Sequence, residues 1–288
     1  MSFDDFKAKC IALGFSGDAM YTKIVSLASK NVERDAIGCF VAGTLVHTDK
    51  GLVPIEQIKV GDMVLSKPKN GEGELTYKPV LKIFDFEGKE IWIVKFTSIG
   101  CYPDEMFQSG KVTHCADLII GTPNHPFWVV GEILYYDDFQ LVLHQKPYWA
   151  RLDQLGKYTV VLRADGILAC VFAVQPVFQM TNQDCGFLQG YPLGDWWEYG
   201  DEDGYFIDFT RTPLVSSYKV SNNSAFSLPN DGDWCFPVKK EKVYNLEVAD
   251  YHTYFVGQRG IFVHHKNCVE VTIESETNLN LVQEGGES

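Results

Sequence analysis

From residue 39 onward the apolar positions fall into short runs that alternate with polar residues at a period near two. "TLVHT" (44–48), "GLVPIEQI" (51–58), "DMVLSK" (62–67), "KPVLKIFDF" (78–86) and "EIWIVKFTSI" (90–99) are rich in β-branched and aromatic residues. "DKG", "VGD" and "KNGEG" punctuate them with turn formers. Runs of this length and period predict half-buried strands joined by tight turns. The rhythm returns in "ADLIIGTPNHPFWVVG" (116–131), "KYTVVLRADGILACVFAV" (157–174) and the stretch from "KVYNLEV" to "GIFVHH" (242–265). The pattern predicts an all-β domain of many short strands.

Three segments depart from it. Residues 1–38 carry Ile24, Val25, Leu27 and Ala28 at helix-like spacing, which predicts one or two short helices in an N-terminal leader. Residues 179–236 mix Gly, Asp, Asn and aromatics without a period, as in "GDWWEYGDEDGYFIDF", and read as an aromatic, acidic insertion packed on the β core by its aromatics. From 268 to 288 alternation fades into a polar, acidic tail. No internal repeat is present.

Composition narrows the partners. With 45% hydrophobic and 14% aromatic residues the chain is globular. Its 25 Lys and Arg against 38 Asp and Glu give a net charge of −13, so a phosphate backbone would be repelled and nucleic acid is not an expected partner. The longest apolar stretches, such as "GILACVFAV" (166–174), are too short for a membrane helix, and the start lacks the pattern of a secretion signal. A soluble, monomeric protein in a reducing, cytoplasmic compartment is the expectation. Eight cysteines, at 10, 39, 101, 115, 170, 185, 235 and 268, form no C-x-x-C pair, so neither a zinc ribbon nor a redox motif is indicated.

Candidate chemistry gathers at three places. Cys39 follows Gly38 where helical texture gives way to strands. Its thiolate can attack the preceding carbonyl and turn the Gly38–Cys39 amide into a thioester, with glycine offering no side chain to obstruct it. Read alone, it is equally a buried small hydrophobe. "GTPNHPFWV" (121–129) places Thr122 and His125 on a turn stiffened by Pro123 and Pro126. A hydroxyl and an imidazole held together can support an oxyanion and protonate a departing amine, although a turn histidine is also common surface polarity. "VHHKNC" (263–268) ends the β region with His264, His265, Asn267 and Cys268, and His252 lies just upstream. An Asn side chain can close on its own carbonyl and cut the chain after itself, helped by a nearby imidazole. The alternatives are a solvated loop or a zinc set of His252, His264, His265 and Cys268, against which neighbouring histidines on a strand point to opposite faces.

Taken in order, these motifs resemble the Hint superfamily of inteins, hedgehog autoprocessing domains and bacterial intein-like domains. "CFVAGTLVHTDKGLVPIEQIKVGDMVLS" resembles the family's opening block, "GTPNHPFWV" its T-x-x-H block, and "VYNLEVADYHTYFVGQRGIFVHH" its closing blocks, especially in the Hint cassettes of bacterial polymorphic toxins. "YKPVLKIF" and "WARLDQL…LRADG" fit between them, so the likeness covers about 39–178 and 237–268.

The resemblance implies a horseshoe-like β domain over 39–267, bringing its ends together between an extein-like leader (1–38) and a C-terminal flank (268–288). It implies self-processing without cofactor or metal: an N-to-S acyl shift at Cys39 activated by Thr122 and His125. Asn cyclisation at Asn267 would follow, aided by His252 and His264, and Cys268 would be able to accept the acyl group and complete splicing. The only partners would be its own flanking segments. One departure stands out. Family members commonly end in His-Asn, and ungapped alignment puts His265 where that Asn belongs. Either Asn267 is the working residue, the assignment favoured here, or the Asn is replaced and only N-terminal cleavage survives. Two other classes stay open: a cysteine hydrolase acting in trans through Cys39 and His125, and a degenerate Hint scaffold serving as spacer or binding module.

Overall fold

The computed structural model describes residues 38–99, 116–135, 139–180, 182–189, 204–210, 218–220 and 237–265. The expected leader helices, Asn267 and Cys268 lie outside the described residues.

Among the described residues, eighteen strands run in chain order. The first six are β1 (Phe40–Val41), β2 (Leu45–Thr48), β3 (Gly51–Pro54), β4 (Met63–Ser66), β5 (Thr76–Glu90) and β6 (Trp92–Ser98). There follow β7 (Ala116–Gly121), β8 (Pro126–Tyr135), β9 (Phe139–Arg151), β10 (Thr159–Leu162), β11 (Leu168–Pro176) and β12 (Phe178–Gln179). The last six are β13 (Cys185–Gln189), β14 (Gly204–Asp208), β15 (Tyr218–Val220), β16 (Lys240–Val248), β17 (Thr253–Val256) and β18 (Ile261–His264). Two 3₁₀ turns, Ile55–Gln57 and Leu152–Gln154, are the only helical pieces among the described residues. The protein is all-β, as the period-two pattern predicts.

Fourteen strands share one antiparallel sheet. Because β10 pairs with both β11 and β8, the pairing runs through β6, β7, β1, β16, β5, β4, β2, β17 and β18 and returns to β8. Closure of this kind removes the exposed edges that open sheets must protect. β9 remains outside the ring, pairing with β8 alone. Its sequence "FQLVLHQKPYWAR" leaves Leu141, Val142, Leu143 and Tyr148 exposed and contains Pro147, a residue that strands accept at edges because it cannot donate to a neighbour.

β1 is short and central: Phe40 pairs with Gly121 of β7 on one side and Tyr244 of β16 on the other. Alternation along it separates two cores. Phe40 enters the larger one with Trp92, Phe96, Phe127, Leu246, Tyr254 and Val263. Cys39 and Val41 point into the second, with Ile91, Ile93, Ile120 and Val243. Burial of each large apolar side chain contributes about 1.5–3 kcal/mol, which holds β1 and the residue before it firmly in place.

The insertion carries order that the aperiodic sequence did not announce. β12 to β15 form a separate four-stranded antiparallel sheet. Leu188 and Ile207 of that sheet, with Val177, complete the second core around Cys39, and Phe209 packs at its margin. Most of the aromatics expected to dock the insertion, Trp196, Trp197 and Trp234 among them, lie outside the described residues.

Candidate active site around the Gly38–Cys39 bond

The site is built where β1, β7 and β16 meet. Thr122 follows β7 and His125 precedes β8, and "TPNH" between them forms a tight turn. The His125 N–H donates to the Thr122 carbonyl at 3.1 Å, with Pro123 in the second position that its fixed φ suits. The turn is tied down further: the Leu152 N–H donates to the His125 carbonyl at 2.8 Å and the Asp153 N–H to the Pro123 carbonyl at 2.9 Å. Two hydrogen bonds then latch it to β1. The Thr122 N–H donates to the Cys39 carbonyl at 2.8 Å, and the Cys39 N–H donates to Thr122 Oγ1 at 2.9 Å. The Thr122 hydroxyl in turn donates to Asn124 Oδ1 at 2.6 Å. Thr122 therefore faces the nitrogen of the Gly38–Cys39 bond. Its hydrogen is engaged elsewhere, so the oxyanion-supporting role expected of it from sequence does not match its geometry.

The carbonyl of that bond has a different donor. Asn245 of β16, fully buried, donates from Nδ2 to the Gly38 carbonyl oxygen. Its Oδ1 accepts the Tyr254 hydroxyl at 2.7 Å and the Leu246 N–H at 2.7 Å. Neither residue stood out in the sequence. The available signal was Asn245 itself, an amide between Tyr244 and Leu246 in "VYNLEV", since a buried amide needs partners.

His125 packs directly on Gly38. A β-carbon added at Gly38 would lie 2.4 Å from His125 Cα and 2.9 Å from Nδ1, so no side chain fits there without displacing the histidine. Gly121 is constrained similarly, with an added β-carbon 2.6 Å from the Cys39 carbonyl oxygen. The imidazole is fully buried against Phe40, ring centroids 3.8 Å apart, and neither ring nitrogen meets a hydrogen-bond partner among the described residues. Burial holds its pKa well below the usual 6.5; a contact with the Gly38 backbone, outside full hydrogen-bond geometry, pulls the other way, and His265 and His264 lower it further. A neutral imidazole with free nitrogens is able to take up a proton and hand it on. Cys39 itself is only 1% exposed.

The C-terminal candidates sit around β18. His265 is buried, its ring stacked on Phe84 with centroids 5.2 Å apart, and its N–H donates to the His252 carbonyl at 2.7 Å. Val263 of β18 pairs with Phe127, whose ring meets those of His125 and Phe40, and this places the end of β18 near the Gly38–Cys39 bond. The His264 ring lies against Trp149, 5.1 Å between centroids. His252 adopts a left-handed backbone, φ 55°, and lines an open depression with Pro68, Lys69, Asn70, Asp250 and Tyr251. Its backbone carbonyl meets the end of β18 by accepting the His265 N–H. Among the described residues no group of three His, Cys, Asp or Glu is placed to hold a metal ion. No described helix is long and apolar enough to cross a membrane.

No family profile matches the chain, and no curated protein matches it. Solved structures do. A bacterial intein-like domain from Clostridium thermocellum shares 22% identity at a TM-score of 0.42, covering 78% of this chain and 97% of that one. The gp41-1 intein shares 14% at 0.38, covering 79% and 98%. A DnaB intein from Synechocystis sp. PCC 6803 shares 14% at 0.37, covering 80% and 99%. These likenesses are modest, and the chemistry of the site rests on its own geometry. The chain is similar to inteins and bacterial intein-like domains, the resemblance its ordered motifs carry.

Proposed function

We propose that this chain is a Hint-type self-processing domain that cleaves its own backbone at Gly38–Cys39 by an N-to-S acyl shift. One observation carries the reading: the Gly38–Cys39 peptide is buried and gripped on both sides, its N–H on Thr122 and its C=O on Asn245, with His125 packed against it. An ordinary strand-edge peptide has no reason to be surrounded by side-chain donors, acceptors and an unpartnered imidazole.

The step balances without a cofactor. Neutral His125 takes the Cys39 thiol proton, and Sγ attacks the Gly38 carbonyl carbon to form a C–S bond. The tetrahedral oxyanion collapses, the C–N bond breaks, and the Cys39 nitrogen receives the proton from His125 as it leaves. The N–H bond to Thr122 Oγ1 holds that nitrogen in place. A thiol or water then attacks the thioester and releases residues 1–38.

Burial of Cys39 argues against a hydrolase acting in trans, because the carbonyl presented to the site belongs to the same chain. At the other end, the buried, backbone-anchored His265 supports N-terminal cleavage as the main activity, since an imidazole cannot close a succinimide. Cyclisation at Asn267, with Cys268 as acceptor, is the second reading and follows from the need for an Asn. The test is a time course of intact mass with and without dithiothreitol. Thiol-accelerated loss of residues 1–38 is expected; full-length protein unchanged over days with thiol present would make the domain a scaffold.

A further inference from the structure

The proposed cleavage needs a group to stabilise the charge that develops on the Gly38 oxygen, and the sequence motifs supply none in the right place. Thr122 faces the nitrogen, and His125 is outside hydrogen-bond geometry to any described partner. We propose that Asn245 is the oxyanion donor for the Gly38–Cys39 bond, and that Tyr254 is a positioning residue that fixes its amide. This rests on the self-processing reading and names a further residue for it.

The orientation of the amide is decided by its neighbours. Asn245 Oδ1 accepts the Leu246 backbone N–H, a group that can only donate. Flipping the amide would set Nδ2 against that donor and Oδ1 against the Gly38 carbonyl, losing both contacts and opposing like dipoles. The Tyr254 hydroxyl adds a second donor to Oδ1 and is itself fully buried. Burial drives the phenol pKa well above 10, so the hydroxyl keeps its proton. The Nδ2 hydrogen therefore points at the Gly38 oxygen before reaction starts.

When Sγ adds to the carbonyl carbon, the electron pair of the C=O moves onto that oxygen. The existing hydrogen bond becomes a charge-assisted one, in a site screened from water, without reorganisation. When the C–N bond breaks, the pair returns and the thioester carbonyl keeps the same donor.

A buried amide could instead serve only to satisfy the strand. The two roles separate by pH. Asn245→Asp has nearly the same size, but its carboxylate opposes the oxyanion when ionised and donates when protonated. Release of residues 1–38 is measured by intact mass for wild type, Asn245→Asp, Asn245→Ala and Tyr254→Phe, with dithiothreitol at several pH values. Asn245→Ala should slow release about 100- to 1,000-fold, the cost of losing one oxyanion donor. Tyr254→Phe should slow it by about tenfold, the worth of one orienting hydrogen bond. For Asn245→Asp, the rate relative to wild type at the same pH should climb as pH falls. If wild type releases its leader and that ratio is flat with pH, Asn245 is not the oxyanion donor. If wild type releases nothing under any condition, the self-processing reading fails and this inference falls with it.

Discussion

Gly38 and His125 are packed so closely that a single methyl group at residue 38 would sit 2.4 Å from the His125 Cα. The contact joins the residue before the thiol to the residue proposed to shuttle its proton, and it makes glycine a requirement of the packing there rather than a convenience. Gly38→Ala must push the bond or the histidine aside. Displacements of about 1 Å in a catalytic arrangement cost on the order of 100-fold in rate. Release of residues 1–38 from Gly38→Ala, followed by intact mass, should slow by about that factor while the fold survives. An unchanged rate would mean that the close packing has no part in the chemistry.

His125 and Thr122 should differ in weight. His125→Ala removes the proton carrier, and general acid–base catalysis is typically worth about 100- to 10,000-fold. Thr122→Ala removes one hydrogen bond to the leaving nitrogen, a contribution of about 1 kcal/mol, or about fivefold in rate. Rates from the same mass assay check the order. Equal rates in wild type and His125→Ala would remove His125 from the mechanism.

Stability should depend on pH through the buried histidine. In the folded state burial holds the His125 pKa well below 6.5, whereas the unfolded chain protonates near that value. The unfolded state therefore binds more protons as pH drops below about 6.5, and stability falls with it. His47, lowered chiefly by burial, adds a contribution of the same sign. Asp117 and Asp153 are raised by burial and act in the opposite sense, starting from the ordinary carboxylate range. Urea midpoints measured from about pH 7.5 to 5.5 should decline for the Cys39→Ala protein, which cannot process itself. Adding His125→Gln should flatten that decline in part, His47 supplying the remainder. A slope untouched by His125→Gln would mean that the imidazole is not held neutral.

The C-terminal end offers two outcomes with different masses. His265 occupies the buried position at the end of β18, so wild type should show little cleavage after Asn267. His265→Asn should introduce a cut after residue 265, releasing a tail that begins at Lys266. If instead wild type releases a tail beginning at Cys268, and Asn267→Ala abolishes it, Asn267 is the cyclising residue and His265 only supports it.

Much of this was legible in the sequence, for identifiable reasons. Period-two runs gave the strands of the large sheet, because a half-buried strand must alternate. Cys39, Thr122 and His125 were legible as a set because their chemistry and chain order reinforce one another. β9 was not, since an edge strand tolerates Lys146 and Pro147, which a central strand would reject. The insertion sheet was hidden because its strands are short and separated by glycine-rich, aperiodic sequence. Asn245 and Tyr254 were missed because their importance lies in where tertiary pairing puts them: β16 beside β1, and β17 folded back within reach of β16. Thr122 was found, but which atom its hydroxyl faces depends on the latch between β1 and the turn after β7, which sequence order does not encode.

Cys39 is proposed to attack the carbonyl of Gly38. Intact mass of wild type beside Cys39→Ala, each with and without dithiothreitol, tests it most directly. Wild type should lose residues 1–38, faster with thiol, because the thiol intercepts a thioester. Cys39→Ala should stay full length in both conditions while keeping the same fold by circular dichroism. Cleavage at Gly38 that persists in Cys39→Ala, or that proceeds in wild type at a rate indifferent to thiol, would contradict the account.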